Sequence, residues 1–176
     1  KHWALQHGKT EACIVREATP GASVVLGFAQ EKTNDEVLHL VETHNSAGLR
    51  ASLNSFEVKA GDAIVVPAGT PHAIDAGIFV LELQEPTDLS ILLEWDGFAV
   101  AGDKDGHLGP GSDTAIDALN LLPLTAVERA RVSASSGLDC ADAAALFDSA
   151  PARYFHAAAI PGSRQPPPCA FSCLPF

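Results

Sequence analysis

The sequence predicts a mainly β fold with helical inserts, and three observations carry the prediction. The first hundred residues are dominated by short β-branched and apolar runs separated by Gly and Pro, as in "TEACIVREATPGASVVLGF" and "SFEVKAGDAIVVPAG". One capped helical pattern, "TNDEVLHLVETHN", interrupts them. Beyond residue 106 the texture turns Ala-rich, with apolar residues at helical spacing. A length of 176 residues and a hydrophobic content of 47% suffice for a buried core.

Taken in order, Thr10 to Phe28 gives two strand-forming runs joined by Thr19, Pro20, Gly21 and Ala22, turn chemistry that predicts a hairpin. Thr33 and Glu36 then make a capping box, and Val37, Leu38, Leu40 and Val41 supply the apolar face of a short helix. The runs Ser55 to Gly69 and Gly77 to Trp95 return to strand. After the Gly and Asp loop "WDGFAVAGDKDGHLGPG", the stretches "SDTAIDALNLL", "LTAVERARV" and "CADAAALFD" read as short helices. From Pro151, "RYFHAAAIPGSRQPPPCAFSCLPF" reads as a strand, a Pro-rich linker and the opening of a further strand. The expected organisation is a β-barrel over 1–106 carrying the functional site, a helical segment over 107–150, and the start of a truncated second β domain over 151–176.

Charge and composition exclude several function classes. The net charge is −11 with only 11 Lys and Arg, and no basic stripe appears, which works against a phosphate backbone and leaves nucleic acid out as a partner. No apolar run approaches the roughly 20 residues that cross a bilayer, so no membrane partner is expected either. The opening "KHWALQHGKTE" has neither a signal-like apolar core nor an initiator Met. The expectation is a cytoplasmic protein whose own N-terminus lies upstream. Cys13, Cys140, Cys169 and Cys173 show no zinc-knuckle spacing, since "CAFSC" lacks a second pair, and they read as free thiols in a reducing compartment.

The chemistry concentrates in "GDAIVVPAGTPHAIDAGIFVLELQEPTDLS", residues Gly61 to Ser90. Its spacing of Gly61, Pro67, Gly69 and His72 resembles one that recurs in cupin barrels, where a tight corner between two strands aims an imidazole into the barrel mouth. Neutral imidazole is the commonest metal-binding side chain, so His72 is a metal-ligand candidate; the competing reading is a His in a surface turn. Upstream, "HGKTEACIVREATPGASVVLGF" closely resembles the type I phosphomannose isomerases, as do the Gly61 to Asp88 stretch and "GHLGPGSDTAIDAL". The resemblance extends to about Thr125 and thins afterwards, although "ARYFHAAAI" is similar to the strand opening that family's second cupin domain.

The resemblance implies a jelly-roll barrel, a single zinc ion per chain and a sugar-phosphate substrate, with interconversion of mannose 6-phosphate and fructose 6-phosphate or of a related sugar. It places zinc ligands at Glu11 and His72 and active-site residues at Lys9 and Asp88. The family's other two ligands, a Gln and a His two residues apart on an upstream strand, have no counterpart here: Gln6 and His7 are adjacent and would face opposite sides of one strand. Leu92 stands where the family has an Arg thought to act at the reacting sugar.

With the ligands the resemblance implies, a cation held by Glu11 and His72 would polarise substrate oxygens, while Lys9 would hydrogen-bond a sugar oxygen or meet negative charge. A solvated Lys9 and an ordinary turn Asp88 are the bland alternatives. Glu82 and Gln84 alternate with Phe79, Leu81 and Leu83 and so share one face, either the barrel interior or a solvated surface. His39 and His44 are spaced wrongly for one helix face, and they, His107 and His156 are read as structural. Two other functions remain open: a sugar-binding cupin of the same lineage without isomerase activity, which Leu92 favours, and a different metal-dependent cupin such as an oxygenase. The latter would want a second His near Glu11, where Cys13 is the one soft ligand at hand.

Overall fold

The computed structural model of the chain describes residues 8–85, 90–96, 99–125, 154–159 and 171–173. Strand β1 (Glu11–Ala18) begins with five consecutive buried residues, the mark of a strand covered on both faces. It lies between β4 (Ala63–Val66) and β6 (Ile78–Gln84), antiparallel to both. The second sheet is built from β2 (Ser23–Phe28), β3 (Leu53–Glu57), β5 (His72–Ile74) and β7 (Ile91–Glu94). Within it, β2 pairs with β3 on one side and β5 on the other. Two further strands, β8 (Tyr154–Ala159) and β9 (Phe171–Cys173), complete the sheets as β4-β1-β6-β8 and β3-β2-β5-β9-β7. This is the mainly antiparallel jelly-roll architecture expected from the sequence.

One expectation is corrected. The strands β1 and β2 form as predicted, but they do not pair with each other: each joins a different sheet. The turn between them is closed, with Ala22 N–H donating to the Thr19 carbonyl at 3.0 Å, while Thr19 N–H donates across to Gly77 at 2.9 Å. Local turn chemistry sets a chain reversal without choosing a partner. Here the reversal carries the chain from one sheet to the other, which lets both strands bury an apolar face between the sheets.

The predicted helix appears as α1 (Asn34–Glu42), with both reciprocal bonds of the capping box between Thr33 and Glu36. A second helix, α2 (Ser46–Ser52), is capped by Asn45, whose side-chain oxygen accepts from Gly48 N–H at 2.8 Å. The short helices α3 (Gly102–Asp105) and α4 (Ser112–Ile116) follow β7. The helices cover the outer face of the second sheet: Val37, Val41, Leu49 and Ile116 pack with Val25, Ala73, Ile91 and Leu93. Phe28, 0% exposed, lies in that cluster, where full burial of such a side chain contributes about 3 kcal/mol. Between the sheets a separate cluster gathers Cys13, Val15, Val24, Leu26, Ile64, Val66 and Val80.

Of the C-terminal expectations, the two strand segments are present, β8 lying along β6 and β9 between β5 and β7. The remainder of the expected helical segment past Thr125 and the expected Pro-rich linker lie outside the described residues. Among the described residues no helix is long and apolar enough to cross a membrane.

Candidate metal centre and active site

Strand register builds one wall of the site. Residues directly opposite each other in an antiparallel pair project to the same face. Glu11 lies opposite Gln84 and Val66, and Cys13 lies opposite Glu82 and Ile64. Because Cys13, Ile64 and Val66 belong to the cluster between the sheets, this face is the barrel interior. Glu82 and Gln84 therefore line the barrel and not a solvated surface.

The second sheet supplies the facing wall. After β4, Thr70 N–H donates to the Pro67 carbonyl at 3.1 Å, and Gly69 adopts φ 79, a left-handed conformation suited to glycine. Gly27 N–H then fixes the corner to the Pro71 carbonyl at 2.8 Å. His72 follows, opposite Leu26 of the interior cluster, so its ring also points between the sheets. The packing there leaves a void of about 10 Å³ bordered by His72, Cys13, Leu26 and Ile64.

Three of the four residues singled out from the sequence come together. Glu11 Oε2 is 3.3 Å from His72 Nε2, and Glu11 Oε1 is 3.1 Å from Lys9 Nζ. Lys9 also donates to Ser90 Oγ at 3.2 Å. Lys9 and Glu11 are 7% and 3% exposed, so the amine is no solvated bystander. Asp88 lies outside the described residues. Leu92 is on the same row as His72, since both are paired in register with Ser172 of β9, two strand spacings of roughly 5 Å apart.

The electrostatics follow from this geometry. Burial pushes the Glu11 carboxyl up, but the hydrogen bond and charge of His72, together with Lys9, outweigh it and leave the group below its ordinary value. For His72, burial works against the charged form, yet the bond and charge of Glu11 and the Thr70 carbonyl raise it overall. Glu82 is raised by burial and by the neighbouring Glu11 charge. Burial, then Glu82 and Glu11, push the Cys13 thiol well up.

The donor pair fits a divalent ion. His72 Nδ1 lies 2.9 Å from the Thr70 carbonyl, and donation there leaves the Nε2 lone pair facing Glu11. Two ligands on a tetrahedral zinc with bonds of about 2.1 Å stand about 3.4 Å apart, close to the 3.3 Å separating Glu11 Oε2 from His72 Nε2.

Two other histidines hold structure. His44, at φ 50, sets its ring edge-on to Trp95 with centroids 5.2 Å apart. His107 Nδ1 accepts from the Gly109 and Gly111 N–H groups. Sequence reasoning missed Ser90 as the partner of Lys9 and Thr70 as a buried hydroxyl without a partner among the described residues. Neither residue carries a spacing signal that would have found it.

The chain is similar to known proteins over about half its length. No family model matches it. It is 38% identical over 90 residues to the mannose-6-phosphate isomerase of Streptococcus mutans, covering 49% of this chain and 27% of that one. It is 34% identical over 86 residues to the mannose-6-phosphate isomerase ManA of Bacillus subtilis, covering 49% and 26% respectively. The chain thus spans about a quarter of the length of these relatives. A structure assigned as a mannosephosphate isomerase from Archaeoglobus fulgidus superposes with a TM-score of 0.51 at 19% identity, over 68% of this chain and 34% of its own. That likeness establishes the cupin fold.

Proposed function

We propose that the protein is a zinc-dependent aldose–ketose isomerase of the cytoplasm, a reading supported by its similarity over about half its length to mannose-6-phosphate isomerases. Its substrates are mannose 6-phosphate and fructose 6-phosphate or a related sugar phosphate. The observation that supports the reading best is the convergence of Lys9, Glu11 and His72, contributed by opposite sheets, within 3.3 Å contacts inside the barrel.

Isomerisation moves a proton between neighbouring carbons through an enediol, so negative charge develops on the sugar oxygens. Bound by Glu11 and His72, zinc would supply Lewis-acid polarisation of those oxygens. Lys9, tethered by Glu11 and Ser90, is positioned to donate to a sugar oxygen as charge builds. Thr70 holds the His72 ring in one orientation through its carbonyl. Asp88 takes an active-site role on the strength of the family resemblance.

Leu92 favours a second reading, a sugar-binding cupin that has lost its chemistry, because a neutral side chain on the His72 row cannot meet an oxyanion. One assay separates the two: coupled detection of fructose 6-phosphate formed from mannose 6-phosphate, with zinc supplied. We expect slow turnover that Leu92→Arg raises by about a hundredfold with little change in sugar affinity. A fast wild type slowed by the Arg would show electrostatics rebuilt around Leu92. Binding of the sugar phosphate with no turnover in either protein would establish the second reading instead.

A further inference from the structure

One step further along β1 from Glu11 lies a set of donors that the isomerase reading leaves unused. The period of two along a strand puts Glu11 and Cys13 on the same interior face, and the register puts Glu82 directly across from Cys13. Cys13 Sγ is 3.7 Å from Glu82 Oε2. The ligand atoms of Glu11, Cys13 and Glu82 all lie within 4.8 Å of one another. A thiolate at about 2.3 Å and a carboxylate oxygen at about 2.1 Å from one tetrahedral ion stand about 3.6 Å apart, so the Cys13 and Glu82 separation matches one edge of such a site. Cys13 is 2% exposed, which argues against a thiol kept for solvent chemistry.

We propose that Glu11, Cys13 and Glu82 form a site for a thiophilic divalent cation such as zinc or cadmium, sharing the Glu11 carboxylate with His72. The thiolate sets the preference, because sulfur favours these ions over magnesium, calcium or manganese, which a purely carboxylate cluster would admit. The Cys13 proton leaves to solvent as the metal–sulfur bond forms. Lys9, 3.1 Å from Glu11, offsets part of the anionic charge of the donors. The site stands independently of whether the barrel isomerises sugars.

The test uses the full chain stripped of metal and titrated with cobalt(II) or cadmium(II), reading the near-ultraviolet thiolate-to-metal charge-transfer band. The band should appear in the wild type, in a Cys140→Ser, Cys169→Ser, Cys173→Ser triple variant and in His72→Ala, and vanish in Cys13→Ser. Glu82→Gln, which keeps the thiol, should weaken cadmium binding about tenfold or more with an unchanged circular dichroism spectrum. A band that survives Cys13→Ser, or one lost in the triple variant or in His72→Ala, would overturn the site. Should Cys13→Ser fail to fold, Glu82→Gln decides, and unaltered cadmium affinity in that variant sinks the proposal.

Discussion

Glu11 is the common partner of the buried Lys9 ammonium and the His72 imidazole, so its neutral analogue should expose the energetics of the site without any metal or substrate. In Glu11→Gln the amide retains shape and can still accept from Lys9, but the charge that compensates Lys9 at 3.1 Å is gone, and so is the carboxylate 3.3 Å from His72. The side chains of Lys9 and Glu11 are 9% and 4% exposed, which puts the pair among buried rather than surface ion pairs. Removing one partner of such a pair costs about 3–5 kcal/mol, because the other is left buried and uncompensated. For a chain of this size that corresponds to a melting temperature lower by about 6–20 °C. The assay is thermal and urea unfolding followed by circular dichroism, with chelator present throughout. Lys9→Met with Glu11→Leu supplies the control: removing both charges together should recover much of the loss, since an apolar replacement of a buried pair is often neutral. An unshifted melting curve for Glu11→Gln, or a double variant that loses the sum of its parts, would refute the reasoning.

Two further outcomes are expected. His72→Ala should abolish sugar-phosphate turnover in the coupled assay while the far-ultraviolet spectrum is kept, since His72 is oriented by the Thr70 carbonyl and Glu11 and is not a member of the apolar clusters; retained turnover would remove it from the active site. Thr33→Ala should cost about 1 kcal/mol in urea denaturation by leaving the first turn of α1 without its cap acceptor, and an unchanged midpoint would show that packing of Val37 and Val41 alone holds the helix.

Local signals in the sequence were legible where they act locally. The Thr33 and Glu36 capping box needs only three intervening steps of chain, and it forms as read. The turn at Thr19 to Ala22 was equally legible as a reversal, but the partner of each flanking strand is a non-local choice made by burial between the sheets. The helix α2 escaped notice because "SAGLRAS" contains Gly48 and two serines, poor helix formers held by the Asn45 cap and the burial of Leu49. At the site, the proximity of Glu11 and His72 was implied by the family resemblance, which assigned both as ligands of one ion. The juxtaposition of Cys13 with Glu82 needed the register of β1 against β6, and that of Lys9 with Ser90 bridges positions far apart in the chain.

The two donors of the candidate metal pair belong to different sheets, Glu11 to the one and His72 to the other. An ion held by both would be a fastener across the gap, since it binds only while the layers stay closed. Its free energy of binding would then be spent against the parting of the sheets as well as on substrate. Metal supply would therefore govern how often the barrel breathes, and the strands facing the gap would open least in the loaded protein.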